Sequence, residues 1–305
     1  MKNNNKFILQ NGVSIPSIGF GTDRTFIYIR KNVLYGTALF LKDLITNDGY
    51  LWKRDKSIYS ILKRAPQNGC WLFDTASAYG QSERIIGHAL SSYKREEIFL
   101  ITKLSNSEQR EGNVEKALRK SIKHMRVDAV DLYLMHWPQT DTYIDSWRQM
   151  ENLYRKGLAR AIGVCNFKKH HFEELAKYAQ IQPMVCQIES HPLFTQDDML
   201  EYCTEKGIQM MAYTPTARMN AKLKQNNILN NIAQKYEKSI AQIIVRWHHQ
   251  RNVIPIINTT KIEHLQENMD VFNFSLTKSE MKKISNININ CRLRYDPDKV
   301  DFTKC

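Results

Sequence analysis

Eight short runs of apolar and β-branched residues, separated by longer segments of helical period, constrain this chain more than any other feature. The runs are 17–21, 71–75, 98–102, 130–135, 160–164, 185–189, 208–213 and 253–257. Most are apolar nearly throughout, as parallel strands covered on both faces must be; an antiparallel strand with one wet face would alternate. Between them apolar residues recur three and four apart. Ile58, Ile61, Leu62 and Ala65 form one such stripe, Val114, Ala117, Leu118, Ile122 and Met125 a second, and Ile240, Ile243, Ile244 and Trp247 a third. That period predicts helices. Ser239 with Gln242, Thr260 with Glu263 and Thr277 with Glu280 have the spacing of capping boxes and predict three helix starts. Eight βα units close into a barrel more naturally than they stack as an open doubly wound sheet, and no GxGxxG turn follows an early strand. The expected fold is therefore α/β, a single (β/α)8 TIM barrel. No Pro/Gly/Ser-rich linker divides residues 1–305, which predicts one domain.

Two regions depart from the repeat. Residues 7–15 read as an N-terminal β-hairpin with Asn11-Gly12 as a two-residue turn, placed to cap the barrel floor. Residues 23–55 form a long insertion after the first barrel strand. It mixes Arg24, Arg30, Lys31, Lys42, Lys53 and Arg54 with Phe26, Tyr28, Tyr35, Phe40, Tyr50 and Trp52. On the catalytic face it would serve as a lid, an acidic-substrate clamp or a subunit contact.

Forty-four Lys and Arg against 31 Asp and Glu leave a formal charge of +13. The basic residues are spread along the chain without a run of five, so a solvated surface is expected and not a nucleic-acid partner. The first ten residues lack the apolar run of a signal peptide, and no stretch reaches the roughly 18 apolar residues of a membrane span. Six cysteines without a CxxC pair exclude the usual zinc spacings, so no metal is expected. Together these predict a reduced, cytoplasmic protein, a monomer or weak homo-oligomer, with no membrane partner.

Polar residues are rare in the strand runs, so those at their carboxyl ends stand out: Asp74, Lys103 and His136, with Tyr79 five residues beyond Asp74. In a parallel barrel that is where reactive groups sit. Singly, each has a structural explanation: a turn cap, an ion pair, packing, a satisfied core imidazole. Jointly they are costly to bury without a task. The set suits proton delivery to a carbonyl oxygen. A phenol has a pKa near 10 in water, and an adjacent ammonium is expected to lower it. Asp74 would hold that ammonium, and His136 would orient the carbonyl. Such a set supplies a proton and no electrons, so reduction needs a hydride donor such as a nicotinamide.

These residues sit within a longer resemblance to the aldo-keto reductase family. It runs through Ile18-Gly19-Phe20-Gly21-Thr22, Phe73-Asp74-Thr75-Ala76, Tyr79-Gly80, Ile86-Gly87 and Ile101-Thr102-Lys103. It continues in Asp131-Leu132-Tyr133-Leu134-Met135-His136-Trp137-Pro138, residues 157–167, Gln187-Ile188-Glu189-Ser190-His191-Pro192, Ala212-Tyr213-Thr214-Pro215, Glu267-Asn268 and Val271-Phe272. Order and spacing match across nearly the whole chain apart from the insertion.

The resemblance implies a barrel that binds NADPH without a Rossmann fold and reduces an aldehyde or ketone to an alcohol. It implies Tyr79 as general acid, Lys103 and Asp74 as the pair that tunes it, and His136 as the carbonyl orienter. Cys165, Asn166 and Gln187 would meet the nicotinamide carboxamide, with Tyr213 stacked on the ring and Thr214 beside it. Cys165 stands where the family commonly has Ser and is a weaker hydrogen-bond partner. In the last βα loop Asn258, Thr259 and His264 replace the common Lys, Ser and Arg of the 2′-phosphate clamp, ahead of Glu267 and Asn268. Lys261, at a predicted helix start that favours anions, is the substitute cation, and NADH is the alternative cofactor. Trp137, Phe20 and Phe26 are the expected pocket aromatics. The tail 286–305, with Arg292, Arg294 and Lys299, suggests a small-molecule carbonyl substrate that is anionic or sugar-derived. A nicotinamide-binding regulatory or interaction module with little turnover is the alternative function.

Overall fold

Each apolar run becomes a strand because its residues are buried on both faces and its neighbours complete its hydrogen bonds. The computed structural model describes residues 5–23, 56–139 and 141–302. The insertion, except Asp23, therefore lies outside the described residues, and Phe26 with it. A hairpin of β1 (Lys6–Ile8) and β2 (Ser14–Pro16) precedes eight barrel strands: β3 (Gly19–Gly21), β4 (Leu72–Asp74), β5 (Phe99–Leu104), β6 (Leu132–Met135), β7 (Ile162–Cys165), β8 (Val185–Glu189), β9 (Gln209–Tyr213) and β10 (Ile254–Ile257). All eight are parallel to their neighbours, and β10 pairs with both β9 and β3 to close the barrel. The expected (β/α)8 architecture is thus found, with each strand inside or within two residues of its predicted run.

The predicted apolar stripes fall on helices Lys56–Arg64, Val114–Met125 and Ile240–Gln250, with Ala65 of the first stripe one residue beyond its helix. Helices and strands share one large core that includes Phe20, Phe73, Leu132, Trp147 and Ile162. A second cluster, around Trp247, Leu229 and Ile284, packs the last helices together. Gly87 lets helix Ser82–Ala89 cross the end of helix Val114–Met125. A Cβ there would stand 2.7 Å from the His124 carbonyl oxygen, so any larger residue would push the helices apart.

Two local expectations are corrected. The hairpin loop has three residues and not two. Leu9 N–H donates to Val13 O at 2.9 Å and Gly12 N–H to Leu9 O at 2.8 Å, with Gly12 alone in the left-handed region at φ +83°. That is a type I turn followed by a glycine bulge, the arrangement favoured when only the glycine takes positive φ. The hairpin does cap the floor, where Asn11 Nδ2 donates to Arg160 O at 2.9 Å beneath β7. Second, Ser239/Gln242 and Thr277/Glu280 form capping boxes, but Thr260/Glu263 does not. Thr259 Oγ1 accepts the Lys261 N–H at 3.1 Å instead, and the helix Ile262–Met269 starts one residue later, with Lys261 as its cap. The Thr259 hydroxyl thus closes a local turn ahead of the helix, and Thr260 falls one residue before the cap.

Among the described residues no helix is long and apolar enough to cross a membrane. Cys70, Cys165, Cys186, Cys203 and Cys291 are free thiols.

Candidate active site

Strand register sets the site. Asp74 ends β4 opposite Gly21 and Ile101, and Lys103 lies two residues further up β5, opposite Leu134. Lys103 is 1% exposed and Asp74 4%. The Lys103 Nζ donates to Asp74 Oδ2 at 2.7 Å and to Thr75 O at 2.9 Å, while Asp74 Oδ1 accepts from Gln187 Nε2 at 2.9 Å. Three strands thus share one buried carboxylate, which leaves neither charge unpaired.

Tyr79 reaches this pair through a short loop. Its N–H donates to Ala76 O, its carbonyl accepts from Ser82 N–H, and Gly80 at φ +60° turns the chain into helix Ser82–Ala89. Ser77 Oγ donates to Lys103 O at 3.1 Å and ties the loop to β5. The Lys103 ammonium lies over the Tyr79 ring, 5.1 Å from its centroid. His136 follows β6, its N–H donating to Leu104 O, and its Nε2 is 3.4 Å from the Tyr79 hydroxyl. The four groups meet at one point.

Electrostatics correct one expectation. The Tyr79 phenol is raised well above its ordinary value, first by burial, then by Asp74, Asp23 and Cys165; Arg294 opposes them. Burial of the ring outweighs any lowering by the nearby ammonium, so the phenol stays protonated. The His136 imidazole is pushed down to about 3 by burial, and further by Lys103 and Arg294, so it is neutral.

A cleft of about 870 Å³ opens over Asp74, Tyr79 and His136, with Lys103 buried beneath it. Cys165, Asn166, Gln187, Tyr213, Thr214 and Asn258 line it, as does Trp137. Asn166 Nδ2 donates to His136 O at 2.9 Å and its Oδ1 accepts from the Tyr213 hydroxyl at 2.7 Å, so the imidazole backbone, amide and ring are held as one unit. Cys165 Sγ points at Gln187 Oε1 at 3.9 Å, a weak contact, and burial raises the thiol. Phe20 is wholly buried in the core beneath the cleft, and Gly21, its neighbour in β3, borders the opening.

The last loop is less assembled. Lys261, His264 and Glu267 are exposed and do not line the cleft, and Thr259 Oγ1 sits 3.5 Å from His264 Nδ1. Asn268 is buried, and its side-chain carbonyl oxygen has no hydrogen-bond partner among the described residues. A buried acceptor left open in this way fits a donor brought by a ligand.

The tail supplies residues that sequence reading missed. Glu189, at the end of β8, is fully buried and accepts from the backbone N–H of Leu293 at 2.6 Å and of Arg294 at 3.0 Å, and it lies 3.0 Å from His191 Nε2. Burial works to raise this carboxyl, but the bonds from His191 and the two amides prevail and hold it below its ordinary range. A charged residue ending a largely apolar strand was the available signal. Further on, Phe302 packs 6.2 Å from Trp137. Asp298 lies 3.2 Å from His170 Nε2 and 3.8 Å from His171 Nε2. His171 Nδ1 accepts the Lys168 N–H at 3.0 Å, which leaves the ring proton on the Nε2 that faces Asp298. That tautomer makes the trio a latch for the tail and a poor set of metal ligands.

The sequence model of the aldo/keto reductase family matches residues 46–289. The glyoxal reductase of Bacillus subtilis is 42% identical over 242 residues, 79% of this chain and 87% of the relative. The methylglyoxal reductase DkgA of Escherichia coli O157:H7 is 35% identical over 249 residues, 80% and 90% of the two chains. Among solved structures, an aldo-keto reductase from a Medee basin deep-sea metagenome library superposes with a TM-score of 0.83 at 32% identity, covering 97% of this chain and 99% of its own. An aldo-keto reductase of Bombyx mori in complex with NADP gives 0.81 at 29% identity, covering 96% and 95%.

Proposed function

The chain belongs to the aldo/keto reductase family, and from that premise we propose that it uses NADPH to reduce small, reactive carbonyls of the glyoxal and methylglyoxal class, with Tyr79 as the proton donor. The observation that carries the reading is the convergence of a neutral imidazole, a protonated phenol and a buried ammonium–carboxylate pair at the floor of one cleft. When bound, the reduced nicotinamide supplies the hydride that the carbonyl carbon gains.

Everything else falls to the protein's own residues. Neutral His136 donates a hydrogen bond to the carbonyl oxygen and aims it at Tyr79 without adding charge. Tyr79 gives up its hydroxyl proton to that oxygen as the carbon is reduced, yielding the alcohol. Lys103, fixed by Asp74 and Thr75, stabilises the phenolate as the proton leaves, when its attraction counts and not before. Gln187 holds the Asp74 carboxylate facing Lys103. Asn166 and Gln187 each retain a second amide hydrogen for the carboxamide of the nicotinamide, Tyr213 presents its ring to the nicotinamide plane, and Cys165 and Thr214 complete that wall. The open acceptor on Asn268, the buried Thr259 and the exposed Asn258, Lys261, His264 and Glu267 fit the far end of an extended dinucleotide, with Lys261 as the cation nearest a helix start. Trp137 forms the substrate wall.

The direct test is to titrate purified protein with NADPH while following tryptophan fluorescence, then to follow NADPH oxidation with glyoxal, methylglyoxal and sugar carbonyls. Quenching together with turnover on the two-carbon and three-carbon dicarbonyls is the expected result. Tight quenching with no oxidation on any of them would instead make the barrel a nicotinamide-binding module.

A further inference from the structure

The tail places a guanidinium in the cleft, and a carboxylate from the opposite wall already holds it. Glu189 fixes the tail through the N–H groups of Leu293 and Arg294, so the Arg294 backbone is anchored to a barrel strand. Its side chain lines the cleft together with Tyr79, His136 and Trp137. There Arg294 Nη2 donates to Asp23 Oδ2 at 3.0 Å. Asp23 follows the end of β3 and lines the same cleft, its backbone carbonyl accepting from Asn258 Nδ2 at 2.8 Å.

The two side chains are 29% and 30% exposed, so solutes reach the pair. An ion pair this accessible contributes little, roughly 0–1 kcal/mol. A guanidinium meeting a ligand carboxylate in fork geometry forms a shorter and stronger pair. Arg294 and Asp23 also act on the Tyr79 phenol in opposite senses, the first lowering and the second raising its pKa, so both lie close to the proton donor.

We propose that Arg294 selects carbonyl substrates that carry a carboxylate, and that Asp23 is its internal stand-in, exchanged for the substrate's carboxylate on binding. This rests on the reductase reading above. Neutral carbonyls leave the Asp23–Arg294 pair intact; 2-oxo and ω-oxo acids open it and gain an anchor on the guanidinium.

The experiment compares kcat/KM for glyoxylate and succinic semialdehyde with kcat/KM for glyoxal and butanal, so that charge changes while the reacting aldehyde does not. In Arg294→Gln the ratio of anionic to neutral substrates falls about 10- to 100-fold, mostly through KM, and Arg294→Lys recovers part of it. In Asp23→Asn the ratio rises, by up to about fivefold. Equal losses on all four substrates, or a ratio that moves in neither variant, would overturn the assignment while leaving the reductase intact. A wild-type protein that turns over none of the four would overturn both.

Discussion

The two ends of the proposed dinucleotide site are built differently. At the inner end Asp74, Lys103 and Gln187 come from three barrel strands, are at most 4% exposed and satisfy one another's polar atoms. At the outer end Asn258, Lys261, His264 and Glu267 are exposed, on a loop and a helix whose first residues no side chain caps. The inner geometry follows from β-register and cannot shift without the barrel. The proposed outer contacts would work by charge at a surface, where one cation can substitute for another. Stability and chemistry should therefore be coupled at the inner end and separable at the outer one.

The largest effect expected from that contrast is at Lys103. Lys103→Met leaves Asp74 buried with only Gln187 for company, and breaking such a pair costs about 3–5 kcal/mol of folding stability. Urea denaturation should show that loss, with kcat falling at least about 100-fold. A second, smaller effect is acid sensitivity at His136. Its folded pKa of about 3 lies below the unfolded value near 6.5, so the unfolded chain binds the extra proton. Nothing is lost above pH 6.5. As the pH falls through that value toward 3, stability declines, by up to about 1.4 kcal/mol per pH unit from this group. His136→Asn should flatten that slope in urea titrations between pH 6.5 and 5.

The outer end gives smaller numbers. Lys261→Ala should weaken NADPH about tenfold, leave NADH nearly unchanged and leave the urea midpoint where it was; fluorescence titration of both cofactors separates these outcomes. A fall in stability comparable to that of Lys103→Met would erase the distinction between the two ends. Smallest is a paired comparison of helix caps. Thr277 caps its helix and Thr260 does not, so Thr277→Ala should cost about 1 kcal/mol and Thr260→Ala under about 0.5 kcal/mol.

The same division decides what can be read from the sequence. Buried parallel strands write themselves as apolar runs, so β8 is legible to the residue, and the polar residues interrupting or ending those runs mark Asp74, Lys103 and His136. Effects that depend on distance within the fold are not legible. Spacing can show an ammonium near Tyr79, but only the depth of the ring shows that burial outweighs it. Thr259 and Thr260 both offer a hydroxyl before helix Ile262–Met269, and the spacing does not show that Lys261, after both, becomes the cap. Phe20 reads as a rim aromatic because the sequence does not say which residue of a three-residue strand borders the opening. Glu189 stands in plain view inside a strand, but its role depends on a tail about 105 residues away in the chain.

The claim beneath all of this is that Tyr79 hands its proton to a carbonyl oxygen reduced beside it. Tyr79→Phe removes one oxygen and keeps the ring under the Lys103 ammonium, so steady-state NADPH oxidation with methylglyoxal, paired with NADPH fluorescence titration, tests it alone. The account predicts kcat reduced by about 10²–10⁴ with cofactor affinity within about twofold of the parent. A Tyr79→Phe variant that turns over at the parent rate would contradict it.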